Sequence, residues 1–84
     1  MIPTLEEQLS NVMLAILDNI VQYPDHLTIE AETGDNTINF TIKAHKDDRG
    51  KVIGKKGSMI HSLRIIVRAI ASRDHMRTVV NIID

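Results

Sequence analysis

The sequence predicts a small α+β domain with the element order α-β-β-α-α-β, a three-stranded mixed sheet and all helices on one face. Three observations support this: an apolar stripe at helical spacing near the N-terminus, two alternating segments around a polar turn, and a second apolar helix followed by a final strand. The helices between the second and third strands form a crossover long enough to make those strands parallel. The 84 residues have room for one domain. We expect it to span residues 1–84, with a β-α-α-β core at about 37–84.

The first helix is predicted over residues 4–22. Thr4 and Glu7 have the spacing of a capping box, in which each residue satisfies a backbone N–H that the helix start leaves free. Pro24 is expected to end the helix, because a proline disfavours the helical conformation of the residue before it, here Tyr23. The apolar residues at spacings of three and four are Leu5, Leu9, Val12, Met13, Ile16, Leu17, Ile20 and Val21.

Two strands are predicted next, over residues 27–32 and 37–43. Apolar and polar residues alternate in both, and the turn-forming residues Gly34, Asp35 and Asn36 lie between them. This pattern is typical of a hairpin with one buried face. Asp47 is a candidate N-cap for a short helix that runs through Ile53.

The second long helix is predicted to begin directly after Gly57 and to run to about Ser72. Ile60, Leu63, Val67 and Ile70 form its apolar stripe. A last strand is predicted over residues 77–83. Its apolar residues occupy both faces, since Val79 and Ile83 point opposite to Val80 and Ile82. A strand of this kind at a sheet edge predicts a protein contact through the open face or the edge. The alternative is association near the glycine loop described below.

Charge is distributed unevenly along the chain. Residues 1–42 contain seven acids and no Lys or Arg, whereas residues 43–84 contain all ten Lys and Arg and four acids. The halves therefore have net charges of −7 and +6, although the whole chain has −1. This asymmetry favours a surface that binds a polyanion. The alternative is that the two halves neutralise each other in the fold.

Several functional classes are not supported by the composition. The chain has no cysteine, and its four histidines, His26, His45, His61 and His75, show no metal-ligand spacing. No arrangement of Ser, His and Asp suggests nucleophilic catalysis. We therefore expect no enzyme activity, no metal, no cofactor and no small-molecule substrate. No apolar run approaches the roughly 18 residues of a membrane span, and no signal peptide is recognisable, which favours a cytoplasmic protein without a membrane partner.

The segment Gly54-Lys55-Lys56-Gly57 is the strongest candidate binding site. Two glycines three residues apart allow a sharp turn and a close approach by another backbone. The N-terminus of the following helix favours a phosphate, and the two lysines add positive charge. Val52, Ile53 and Ile60 are expected to form an apolar floor beside the loop. The alternative is a simple turn between helices. A Walker loop is excluded, since it requires four residues between its glycines and Gly50 and Gly54 are separated by three.

The run Ile53-Gly54-Lys55-Lys56-Gly57-Ser58-Met59-Ile60 resembles the IGxxGxxI signature of KH domains, whose GXXG loop binds about four nucleotides of backbone. The predicted element order is that of the type II arrangement. The run from Asp48 to Gly57, together with Arg64 and the ending Ile82-Ile83-Asp84, is similar to small bacterial single-KH-domain proteins of the KhpA type. The similarity extends over nearly the whole chain. Ser58 and Asn81 depart from the family, which often has a basic residue and an acid at these positions.

This resemblance implies a cytoplasmic protein that binds single-stranded RNA, with a role as an RNA chaperone or post-transcriptional regulator. It also implies pairing with a second KH protein of the KhpB (Jag) type, or a homodimer, and a link to cell-wall synthesis and cell shape. The alternative is a protein-interaction subunit of a KH heterodimer with little RNA binding of its own. The implied RNA-binding residues are Lys51, Val52, Ile53, Gly54, Lys55, Lys56, Gly57, Ser58, Ile60, His61 and Arg64.

Overall fold

The structure is a computed structural model that describes residues 2–83. Its helices are α1 (Leu5–Leu17), α2 (Arg49–Ile53) and α3 (Ser58–Ser72), and its strands are β1 (Thr28–Gly34), β2 (Thr37–Lys43) and β3 (Arg77–Ile83). Short 3-10 turns lie at Pro24–His26 and Lys55–Gly57. The predicted order α-β-β-α-α-β is confirmed. Met1 and Asp84 lie outside the described residues, so the extent of a single domain over 1–84 stays a prediction.

The three strands form one mixed sheet in the order β1-β2-β3. β1 and β2 are antiparallel, with Thr28 opposite Lys43, and β2 and β3 are parallel, with Thr37 opposite Arg77. The helical crossover thus makes β2 and β3 parallel and leaves β3 at an edge, as predicted. The N–H of Arg77 donates to the Asn36 carbonyl at 2.8 Å, which joins the hairpin turn to the start of β3.

Helices cover one face of the sheet and build the core there. Phe40, at the centre of this face, lies between Ala31 on β1 and Val80 on β3 in the strand register. The other face is open: Val79 and Ile83 are 39% and 42% exposed. The buried apolar residues are Leu9, Met13, Leu17, Leu27, Ile38, Phe40, Ile42, Val52, Ile60, Leu63, Val67, Ala71 and Val80.

The first helix is shorter than predicted. Thr4 caps it as expected, since its Oγ1 accepts the Glu7 N–H at 3.2 Å, but the helix ends at Leu17 instead of residue 22. The Asn19 side chain donates to the Ala15 carbonyl at 2.5 Å. Such local side-chain bonds to backbone compete with regular helix. The helix therefore ends well before Pro24, so this proline is not what ends it.

Asp48 supplies the second reason for the early end of α1. Its Oδ1 and Oδ2 accept the N–H groups of Gln22 and Tyr23, each at 2.9 Å. In a continued helix these two amides would bond to carbonyls four residues earlier. The Asp48 side chain is fully buried, and burying a carboxylate is unfavourable unless hydrogen bonds satisfy it. These bonds fix the chain after α1 to the start of α2.

The predicted N-cap of α2 at Asp47 is wrong by one residue. The helix begins at Arg49 with Asp48 in the N-cap position, and no side-chain cap bond is formed there. The Asp48 carboxylate is directed toward Gln22 and Tyr23 instead, while the exposed Asp47 lies beside His45, 3.7 Å from its Nδ1. Sequence spacing could not distinguish the two aspartates, because the amides that select Asp48 come from 25 residues away or more.

Burial by itself raises the pKa of Asp48, but its surroundings reverse the effect. Hydrogen bonds from Gln22 and Tyr23, followed by the positive charge of Lys51 and a smaller electrostatic contribution from His45, leave the pKa of Asp48 below its usual 3.8. A lowered pKa in the folded state stabilises the fold above the unfolded pKa, and this contribution is lost as pH falls through the folded value.

We therefore expect Asp48→Asn to lower the thermal midpoint by several degrees near neutral pH, and the difference from the parent protein to shrink below about pH 4. Asp47→Asn, at the exposed neighbouring position, is the matched control and should change the midpoint little. Thermal unfolding followed by circular dichroism at neutral and acidic pH measures both. Equal midpoints for the parent and Asp48→Asn at neutral pH would show that this carboxylate does not fix the fold.

Candidate nucleic-acid interface

The glycine loop turns the chain sharply between α2 and α3. Gly54, Lys56 and Gly57 have φ of 80°, 57° and 77°, all in the left-handed region. Glycine adopts this region readily, whereas Lys56 does so at some cost in backbone energy. The Gly57 N–H donates to the Gly54 carbonyl at 3.0 Å and closes the turn. The loop therefore has one defined conformation, with the two lysines at its outer end.

Gly54 lies directly beside the first turn of α3. A Cβ added at this position would lie 2.5 Å from the Met59 backbone nitrogen and 2.8 Å from the Met59 Cβ. The first amides of an α-helix have no partner within the helix, and no side chain caps α3. The bare α-carbon of Gly54 thus lets the loop pack closely against the first turn of α3, which is the positive end of a helix dipole.

Lys55 and Lys56 are both exposed. Among the described residues, no carboxylate lies within 4.0 Å of either ammonium group. Lys51 is exposed on α2, although its Nζ lies 3.9 Å from the buried Asp48 Oδ1, and His61 is exposed on α3. The positive charges of Lys55 and Lys56 are therefore not neutralised by any described carboxylate.

In the part of the chain that the structure describes, the two oppositely charged halves form an ion pair away from the loop. Lys43 on β2 and Glu30 on β1 form an ion pair at 3.0 Å, with both side chains well exposed. Charges of the two halves therefore pair on the sheet, and the loop lysines do not take part in this pairing.

The apolar residues beside the loop are arranged differently from the predicted floor. Val52 is fully buried and Ile60 is 6% exposed, so both pack into the core beneath the loop. Ile53 is 37% exposed and is the member of this group that presents apolar surface. Ser58 is exposed at the start of α3, and its carbonyl accepts the Ser62 hydroxyl at 2.8 Å.

Arg64 lies farther along α3, where the helix approaches the edge of the sheet. Its Nε donates to the Val80 carbonyl at 3.0 Å, and the residue is partly buried. Arg68, one turn later, is exposed. The sequence indicated that Arg64 shares a helix with the loop, but the contact with Val80 depends on how α3 packs on β3.

A ring cluster lies where α1, β2 and α2 meet, and sequence spacing did not reveal it. Tyr23 and His45 are stacked with ring centroids 4.0 Å apart, and His26 meets His45 edge-on at 5.0 Å. His26 and His45 are distant in sequence, and the fold brings their rings together. Among the described residues, no group of three or more potential ligands could hold a metal ion.

The loop geometry and the element order can now be compared with known proteins. A family model described as "KhpA/KhpB, KH domain" matches residues 10–82. The chain belongs to the KhpA/KhpB family of KH domains. This membership confirms the type II KH fold and agrees with the prediction that the chain is not an enzyme. The search of solved structures found no significant match.

Several curated relatives share this family. The protein named RNA-binding protein KhpA from Clostridium acetobutylicum is 32% identical over 75 residues, covering 89% of this chain and 100% of the relative. The protein of the same name from Chlamydia trachomatis is 33% identical over 69 residues, covering 82% and 88%. That from Listeria monocytogenes is 28% identical over 76 residues, covering 90% and 100%. Within residues 2–83, no helix is both long enough and apolar enough to cross a membrane.

The two loop glycines should differ in their tolerance of a side chain. The methyl group that Gly57→Ala adds would enter open space, since the nearest atom lies 4.0 Å away. The cost of this variant is therefore that of an alanine at positive φ, about 1–2 kcal/mol of unfolding free energy. Gly54→Ala adds a clash with the α3 backbone and should cost about 3 kcal/mol or more. Urea unfolding of both variants measures the difference. Equal losses would contradict the close approach of Gly54 to Met59.

Proposed function

We propose that this protein binds single-stranded RNA and holds its backbone at Gly54–Gly57. The observation that supports this most directly is the exposed loop itself: its two lysines have no carboxylate partner among residues 2–83, and they precede a helix start that no described side chain caps. Three relatives named as RNA-binding proteins match most of the chain, which supports RNA as the ligand.

The parts of the loop have distinct roles in this proposal. Gly54 holds the loop close against the start of α3, so that a phosphate bound at the loop lies near backbone N–H groups and the positive end of the helix dipole, which favour an anion. Lys55 and Lys56 attract the backbone without reading sequence, since phosphate contacts position a nucleic acid and base contacts specify it. Ile53 provides an exposed apolar surface beside the loop for a flat base, with Val52 and Ile60 supporting it from the core.

Affinity is expected to be weak. The chain has one loop, two aromatic residues and a net charge of −1, so it can form few phosphate contacts and few stacking contacts. Non-specific binding of nucleic acids by proteins lies at about 10⁻⁴–10⁻⁶ M at physiological salt, and we place this domain near that range. A small number of phosphate contacts also predicts a shallow dependence on salt.

The family resemblance supports more specific proposals about cellular role. They are a cytoplasmic RNA chaperone or post-transcriptional regulator, a link to cell-wall synthesis and cell shape, and assembly with a second KH protein. Covalent crosslinking of the protein to cellular RNA, followed by sequencing of the RNA, tests the regulatory role directly. Recovery of no RNA above background would contradict it.

A second candidate function, a protein-interaction subunit, is favoured by the open face of the sheet. Val79 and Ile83 are large apolar side chains that helices do not cover. Asn81 between them is uncharged, and charge is one of the means by which edge strands usually avoid association. We propose that this face binds a second KH protein or a second copy of the chain.

The loop proposal is tested by reversing its charge. The double variant Lys55→Asp and Lys56→Asp should lose binding to short single-stranded RNA, because two negative charges would lie where phosphates must approach. Both side chains are exposed, so the unfolding free energy should change by about 0.5 kcal/mol or less per substitution. Fluorescence anisotropy and thermal unfolding measure the two effects.

The matched control is Arg73→Asp with Arg77→Asp, which changes net charge equally at the opposite end of α3. This control should reduce binding much less than the loop variant, because the helix separates the sites by about 22 Å. Equal losses in the two double variants would mean that overall charge, and not the loop, determines binding. If the loop variant folds and still binds RNA as tightly as the parent protein, the loop is only a turn between helices and does not bind RNA.

The protein-contact proposal is tested on the open sheet face. Val79→Lys together with Ile83→Lys should abolish association, since both side chains point away from the core, while the monomer keeps its fold. Light scattering at high micromolar concentration, alone and with a second KH protein, measures mass. A parent chain that stays monomeric in both cases contradicts the proposal. Association that survives in the variant locates the contact elsewhere, with the glycine loop as the next candidate.

A further inference from the structure

The ring cluster of Tyr23, His26 and His45 takes no part in the proposed grip of the glycine loop, although it is partly open to solvent. His45 covers one face of the Tyr23 ring, with ring centroids 4.0 Å apart and an interplanar angle of 23°. Tyr23 is nevertheless 37% exposed, and it does not belong to the apolar residues that pack on the core. The face of the Tyr23 ring that His45 leaves uncovered is therefore accessible to a flat ligand.

The three rings hold one another in place. His26 is exposed and meets His45 edge-on at 5.0 Å and Tyr23 edge-on at 6.2 Å. The backbone beneath them is also fixed, because the Tyr23 N–H donates to the buried Asp48 carboxylate at 2.9 Å. The Asp48 N–H in turn donates to the His45 carbonyl at 2.8 Å. An aromatic ring that is already held in this way loses little entropy when a ligand stacks on it.

The charges around the ring cluster nearly cancel. Lys46 and the exposed Lys51 are positive, whereas Asp25 and Asp47 are exposed and negative. Asp48 is buried, and its oxygens accept two backbone amides. A surface with this balance does not attract phosphate groups by itself. The part of a nucleic acid that suits it is the flat, uncharged base, which stacks on an aromatic face.

Helix α2 connects the ring cluster to the glycine loop. Asp48, which accepts the Tyr23 amide, is the N-cap residue of α2, and Gly54 is its C-cap residue. The six positions between them correspond to about 9 Å along the helix axis. Stacked nucleotides rise about 3.4 Å each, so roughly three nucleotides cover this distance. An RNA strand whose backbone is held at the loop can therefore place a base on Tyr23.

We propose that the uncovered face of Tyr23 is a second contact for single-stranded RNA, on which a base a few nucleotides away from the loop stacks. The loop holds phosphates and the ring cluster holds a base. Neither contact selects a sequence, because every base has a flat π-face. This inference rests on the proposed RNA binding and extends the bound segment beyond the roughly four nucleotides that a GXXG loop contacts.

The chain contains one tyrosine, so a signal from tyrosine rings reports on Tyr23 alone. The test titrates the full chain, prepared with isotope-labelled tyrosine, with a single-stranded RNA octamer and follows the ring protons by nuclear magnetic resonance. A base that stacks on the ring should move these resonances upfield through its ring current. Unchanged Tyr23 resonances, at octamer concentrations that saturate binding in fluorescence anisotropy, would overturn the inference and leave RNA binding by the loop intact.

Variants separate base stacking from a structural role of the ring. Tyr23→Leu removes the aromatic ring but keeps an apolar side chain, whereas Tyr23→Phe keeps the ring and is the matched control. The octamer should bind Tyr23→Leu about five- to tenfold more weakly than the parent protein, and Tyr23→Phe should bind like the parent. An RNA tetramer, too short to reach from the loop to the ring, should bind all three chains alike. Equal octamer binding by the parent and a folded Tyr23→Leu variant overturns the inference.

The tetramer also detects an indirect effect. If Tyr23→Leu weakens tetramer and octamer binding by the same factor, the ring positions the loop and does not contact a base, which contradicts the proposal. If Tyr23→Leu fails to fold, the Tyr23 resonances of the parent protein still decide, because they require no variant. A parent protein that binds neither RNA contradicts the proposed RNA binding itself, and the stacking contact with it.

Discussion

The buried carboxylate of Asp48 holds the segment after α1 against the start of α2. Its two oxygens accept the amides of Gln22 and Tyr23, both at 2.9 Å, so the first helix cannot continue through these residues. The chain instead turns, stacks Tyr23 on His45 and enters the hairpin. Since α2 leads directly into Gly54, the same carboxylate fixes the approach to the glycine loop. A substitution at Asp48 would therefore affect both the fold and the loop.

The core imposes an unusual backbone conformation on the glycine loop. Three of its four residues have positive φ, including Lys56, which lacks the freedom of glycine. Val52 and Ile60 are buried on either side of the loop in sequence, and their packing offsets this strain. The lysines are consequently displayed at a fixed place beside the start of α3, where preorganised donors cost little ordering entropy when an anion binds.

The two surfaces of the proposed contacts, the glycine loop and the open sheet face, lie on different parts of the molecule. α3 joins the glycine loop at one end to the edge of β3 in the middle, through the bond from Arg64 to Val80. The open sheet face carries uncharged and apolar side chains on β3 and an exposed ion pair between Lys43 and Glu30. Because Arg64 occupies an edge carbonyl, strand addition at this edge is impeded, and the open face is the better surface for a protein partner.

Local patterns in the sequence determined the element order, the cap at Thr4, the bounds of α3 and β3, and the glycine loop, because periodicity, capping and glycine placement act over a few residues. Tertiary structure decided what depended on distant partners. Asp48 rather than Asp47 is buried, because the amides of Gln22 and Tyr23 lie beside it only in the folded chain. The same contacts contribute to the end of α1 at Leu17, together with the local bond from Asn19. The burial of Val52 beneath the loop and the position of Arg64 against β3 likewise required the packing of α2 and α3, which no local spacing encodes.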